Sequence, residues 1–203
     1  MAEPVAQRSR KRRLDAKRSR AAVLDAAIAV LGRQVDASIE DIAAVAGVVR
    51  QTVYAHFPSR TALIGAVVEH LTAESARALD ALDLTTPPPD EALRRWLEAS
   101  WAVVLRYPVL LSPLIADAVP PADEHDRHRP VTAQLDALVR RGRQAGVFDA
   151  RHGESWIITV TIALGHAAGQ EVTAGRMGPD EAGAAYRDSV LRLVLNRPIT
   201  EAD

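Results

Sequence analysis

Cysteine is absent from the 203 residues, so the chain can form no disulfide, offers no thiolate nucleophile and holds no cysteine-ligated metal. A reducing, cytoplasmic location is expected. Aromatic residues are few (three Trp, three Tyr, two Phe), while alanine is abundant, a composition suited to close helix packing. No stretch approaches the ~18 consecutive apolar residues of a membrane span. No apolar run of signal-peptide type follows the basic N-terminal stretch, so no membrane partner is expected. Signatures of catalysis are also missing. There is no H-E-x-x-H pair and no glycine-rich phosphate loop. Asp123-Glu124-His125-Asp126-Arg127-His128 sets two histidines among carboxylates, a pattern a divalent ion can use, but it lies in a proline-flanked polar segment and reads as a solvated loop. Gly153-Glu154-Ser155-Trp156-Ile157 begins like a nucleophile elbow and lacks the second glycine and the preceding strand. No catalytic residue, metal or cofactor is assigned, and the chain is read as not an enzyme.

Charge is present, but unevenly. Residues 1–20 carry eight Lys and Arg against Glu3 and Asp15, a net +6, and the remainder carries −7. Such asymmetry points to a basic arm that reaches for a polyanion. Residues 1–16 are expected to be that flexible arm.

From residue 14 onward the helical period dominates. Val23, Leu24, Ala27, Ile28 and Leu31 form the stripe of an amphipathic helix. Ser38-Ile39-Glu40-Asp41 reads as a helix start, with the Ser38 hydroxyl accepting from the backbone N–H three residues on. Ile42, Ala43 and Val45 should face inward. Gly47 supplies a turn with positive φ. A second short helix follows, about Val49 to His56, burying Val53 and Phe57, and Pro58 closes it. Ser59 caps a longer helix to about residue 82. Thr85-Thr86-Pro87-Pro88-Pro89-Asp90 is the clearest break, and Asp90 can cap the next helix. Further helices are expected to about Tyr107, from Pro130 to Gly142, from Ser155 to Val172 and from Gly178 to Asn196. A short element falls between residues 109 and 117, and a polar loop at 120–129. The fold class is all-α, with about nine helices.

Two short helices around a glycine turn, Ser38 to Phe57, have helix-turn-helix geometry. Burial of Ile42, Val48, Val53 and Phe57 against the first helix leaves Arg50, Gln51, Thr52, Tyr54 and His56 on the second helix's polar side. Arg and Gln can pair bidentately with guanine and adenine edges. Thr, Tyr and His can bond phosphate oxygens. The stretch SIEDIAAVAGVVRQTVYAHFPSRTALI resembles the signature of the tetracycline-repressor (TetR) family, and the upstream RSRAAVLDAAIAVL is similar to that family's first helix.

That resemblance, over residues 18–70, implies roles by position. Ser38 caps the second helix and touches phosphate. Thr52, Tyr54 and His56 contact the DNA backbone, and Arg50 and Gln51 read bases. Arg60 stands where a phosphate-contacting lysine is usual. Val49 stands where a serine usually caps the recognition helix, so that cap is missing. The implied organisation is a helix-turn-helix DNA-binding domain over 17–77 and an effector-binding and dimerisation domain, a helical bundle, over 78–203. The expected partners are a double-stranded, pseudo-palindromic operator, a small apolar or aromatic effector that releases a repressor, and a second copy of the chain through the last two long helices. Gly165, Ala167, Ala168 and Gly169, with Val190, Leu191, Val194 and Leu195, would serve that dimer. Candidate effector-pocket residues are Trp96, Trp101, Tyr107 and Leu111, together with Phe148, Trp156 and His166. Two other readings compete, a helical small-molecule-binding module or an enzyme without DNA function, and the basic tail and complete motif weigh against both.

Overall fold

The computed structural model describes residues 3–34, 36–111 and 121–195, with side chains from Arg10 onward and, in the last stretch, from His128. Eight α-helices and one short 3-10 helix occur among them: α1 Glu3–Leu31, α2 Ile39–Ala46, α3 Arg50–His56, α4 Arg60–Asp80, α5 Pro89–Arg106, the 3-10 turn Pro108–Leu111, α6 Pro121–Gln144, α7 Glu154–Thr173 and α8 Pro179–Val194. The described residues fall into two compact units, one up to His70 and one from Leu71.

In the first unit the sides of α1, α2 and α3 that carry Val23, Ala27, Ile42 and Val53 are fully buried. Removing such side chains from water, at about 25 cal/mol per Å², is what lets two helices of only eight and seven residues persist where isolated helices that short would not. In the second unit, α5, α6, α7 and α8 enclose one core that includes Leu93, Leu97, Leu135, Ile157 and Val190. The proline break is ordered by its own side chains. Asp83 Oδ1 accepts from the Thr85 and Thr86 amides at 3.0 and 3.1 Å, which holds the Asp83 carboxyl far below the usual range. Arg141 of α6 donates to the Pro87 carbonyl at 3.0 Å.

Several boundaries differ from the sequence-based expectation. Helix α1 continues back to Glu3 in place of an irregular arm. Helix α6 begins at Pro121, so the expected loop over 121–129 is helical and Pro130 lies inside the helix. The side chains of Asp123, Glu124, His125, Asp126 and Arg127 lie outside those described, as do residues 112–117, Asn196 and Pro198. Helix α5 starts with Pro89 at its first turn after Pro88, and Asp90 sits within that turn instead of capping it.

Candidate nucleic-acid interface

Ser38 is the N-cap of α2. Its Oγ accepts from the Asp41 amide at 3.1 Å, and Asp41 Oδ2 accepts in turn from the Ser38 amide at 2.8 Å, so the shorter aspartate closes the box. The Ser38 hydroxyl, which donates to Asp41 Oδ2 at 2.7 Å, and then the Ser38 amide favour the ionised carboxylate and hold Asp41 below its ordinary value. At the other end Gly47 adopts φ 66°, ψ 30°, the left-handed region where an L side chain is disfavoured. The cap and the glycine fix the angle at which α3 leaves α2.

Helix α3 has two faces. Val53 is fully buried and Phe57, just after the helix, is 3% exposed. Arg50, Gln51, Tyr54 and Ala55 are exposed on the opposite side, and Thr52 and His56 are half-buried at its flank. Val49 is the N-cap and makes no side-chain cap bond.

The exposed groups are already organised. The Arg50 guanidinium pairs with Glu40 of α2, reaches Tyr54 Oη at 3.4 Å and lies 5.2 Å from the centre of the Tyr54 ring. Tyr54 first, then Glu40, stabilise the charged form and raise the Arg50 pKa. His56 Nε2 lies 3.1 Å from Ser19 Oγ of α1, which anchors the end of α3. Arg60 donates to the Ala37 carbonyl, bracing the start of α4 against the α2 cap. The Ser59 hydroxyl accepts from the Ala62 amide at 3.0 Å and caps α4 as expected.

The seven residues singled out for DNA therefore divide. Arg50, Gln51 and Tyr54 share one open face; Thr52 and His56 flank it; Ser38 and Arg60 are engaged at the helix starts. Val45, expected to face inward, is 56% exposed. An eight-residue helix makes little more than two turns, and its buried side is filled by Ile39, Ile42 and Ala43. Glu40 was not anticipated; its place on α2 ten residues before Arg50 carries no local signal, because the turn brings the two together.

The second unit holds a cavity of about 90 Å³. Of the residues named for an effector pocket, Trp96, Leu111 and His166 line it. Trp101, Tyr107, Phe148 and Trp156 do not. Trp101 and Phe148 are core, Tyr107 ends α5, and Trp156 is 54% exposed. The lining not named from the sequence includes Ser75, Ser100, His128, Thr161 and Tyr186. A hydroxyl set four residues after a buried Leu71 or Ile157, on the same helix stripe, was the available signal. Gly165 and Gly169, expected at a dimer surface, are packed inside: a Cβ on Gly169 would fall 2.3 Å from Leu111 Cδ1.

A glycine-hinged pair of short helices on a supporting helix, with its polar side open, defines a helix-turn-helix DNA-binding regulator. The family model for bacterial regulatory proteins of the tetR family matches residues 23–67. The HTH-type transcriptional repressor LfrR of Mycolicibacterium smegmatis is 45% identical over 83 residues, 41% of this chain and 44% of that repressor, less than half its length. The crystal structure of LfrR from Mycobacterium smegmatis in complex with proflavine is 30% identical, with 89% of this chain and 98% of that one covered and a TM-score of 0.63. A TetR-family regulator from Agrobacterium tumefaciens, 20% identical, shares the fold over 88% of this chain and 99% of its own, with a TM-score of 0.73. The chain belongs to the TetR family.

Proposed function

We propose that the chain is a transcriptional repressor that binds a pseudo-palindromic operator as a homodimer and is released by a small apolar or aromatic effector. The observation that carries the DNA half is the open face of α3, where Arg50, Gln51 and Tyr54 stand exposed along a short helix held by a capped turn. Arg50 and Gln51 read base edges in the major groove, and Tyr54, Thr52 and His56 engage the backbone. Ser38 and Arg60 act at phosphates after their present partners are exchanged.

One such helix reads few base pairs, so two are needed, about one DNA turn (~34–36 Å) apart or somewhat more. The dimer face is carried by α7 and α8. On α7, Trp156, Thr159, Ala163, Ala167 and Gln170 form one exposed stripe at helical spacing, and a Trp at that exposure suits an interface. The effector half rests on the cavity of the second unit and on the likeness to LfrR, whose structure holds the aromatic dye proflavine. Release requires that the effector favour one conformation over the other.

A gel shift with genomic fragments and the chain as it stands tests the reading. Retarded bands that resist excess non-specific competitor, and that disappear with Arg50→Ala plus Gln51→Ala, are expected. Bands that the double substitution leaves unchanged would overturn the assignment of α3.

A further inference from the structure

The walls of the cavity are largely aliphatic, with Leu79, Val104, Leu111 and Ile162 among them. Its polar groups are unevenly supplied with protons. Ser75 Oγ donates to the Leu71 carbonyl at 2.6 Å, and Thr161 Oγ1 donates to the Ile157 carbonyl at 2.7 Å. A hydroxyl has a single proton, so both oxygens retain lone pairs and have no donor left. Ser100 Oγ likewise donates to the Leu97 carbonyl at 2.9 Å. In its 3.2 Å contact with Tyr186 the phenol must therefore be the donor. Burial pushes Tyr186 up to about 12, so it keeps that proton at ordinary pH.

Trp96 shows the opposite imbalance. The residue lines the cavity and is 2% exposed, yet its Nε1–H is buried without a partner. An indole nitrogen can only donate, and a buried donor left unmade is costly. Of the residues with a described buried side-chain atom that lacks a partner, Trp96 is the one that lines the cavity. His128 and His166, with ring centroids 5.3 Å apart and planes tilted by 51°, add a partly polar, ring-bearing side to the cavity. Size narrows the choice. The cavity's 90 Å³ is well under the ~300–1,000 Å³ of drug-sized sites and nearer the ~150 Å³ cavity that takes benzene.

We propose that the effector is a single-ring hydroxyarene, a phenol, whose hydroxyl oxygen accepts from Trp96 Nε1 and whose O–H donates to the oxygen of Ser75 or Thr161. This rests on the effector reading above and narrows it. The aliphatic walls take the ring, and the two kinds of unspent capacity on the wall match the two capacities of a phenolic hydroxyl.

Calorimetric titration of the whole chain with phenol, anisole and toluene tests it, because the three keep one ring and carry donor plus acceptor, acceptor only, and neither. Wild-type affinity should fall in that order, by about two- to tenfold for each hydrogen bond removed. Trp96→Phe should close the gap between anisole and toluene. Ser75→Ala with Thr161→Val should close the gap between phenol and anisole. Each ratio is taken within one variant, so general loosening of the core cancels, and circular dichroism checks folding. Toluene binding as tightly as phenol, or ratios the variants leave untouched, would overturn the phenol assignment while leaving a ligand cavity. No saturable binding of any of the three would remove both that assignment and the effector role of this cavity.

Discussion

Arg50 stands at the first turn of α3 with Glu40 and Tyr54 as neighbours, all on an exposed surface. An exposed ion pair adds little to stability, so its consequence is orientation: the guanidinium is held at the helix start, the position proposed to read base edges. Arg50→Ala should leave the melting temperature nearly unchanged and cost on the order of 1–3 kcal/mol at one base pair of the preferred site; a uniform loss over all sequences would make Arg50 a phosphate contact instead. Val49 offers the converse test. Its side chain caps nothing, so Val49→Ser should stabilise the chain by about 1 kcal/mol in thermal melts, and an unchanged or lower melting temperature would contradict a missing cap. Asp41 couples the turn to pH. Its folded pKa lies below the ordinary 3.8, so its contribution is complete above that value and is lost as pH falls through the lowered one. Asp41→Asn should flatten the acid limb of melting temperature against pH, and an unaltered limb would show that the box does not depend on the charge.

Among the elements, those fixed by local chemistry were legible in sequence. The Ser38 cap, the Gly47 turn and the Ser59 cap each depend on residues within three or four positions, and all three form as read. Elements whose limits depend on the absence of a stripe were not. Residues 3–13 and 121–129 are too polar to show an apolar face, so α1 and α6 extend beyond the pattern that marks them. Pro130 suggested a first turn because a proline there forfeits no bond, whereas inside α6 it gives up one helical hydrogen bond. The helical form of the N-terminal segment bears on DNA. Arg10, Lys11, Arg12, Arg13, Lys17 and Arg18 are all exposed along α1. Deleting residues 1–13 should weaken binding to every duplex alike and lower the slope of log K against log salt by about 0.9 for each phosphate no longer neutralised. An unchanged slope in fluorescence anisotropy would remove this helix from the interface.

At the scale of the whole molecule the near-zero net charge hides a division: +6 in the first twenty residues and −7 in the rest. Affinity for a polyanion therefore has to come from one end of the chain, the end that carries the helix-turn-helix. The DNA-facing candidates were legible because the motif is contiguous, twenty residues with fixed spacing. The cavity was legible only in part, because its lining is gathered from several helices and the 3-10 turn, and because Trp101 and Phe148 are as aromatic as Trp96 yet fill the core. In the proposed function the outer face of α3 selects DNA sequence. Sequencing of duplexes that the full chain retains from a random pool is the decisive measurement: a two-fold symmetric consensus that changes at defined positions with Arg50→Ala or Gln51→Ala is expected. Recovery of no enriched sequence, or of one that both substitutions leave intact, would contradict it.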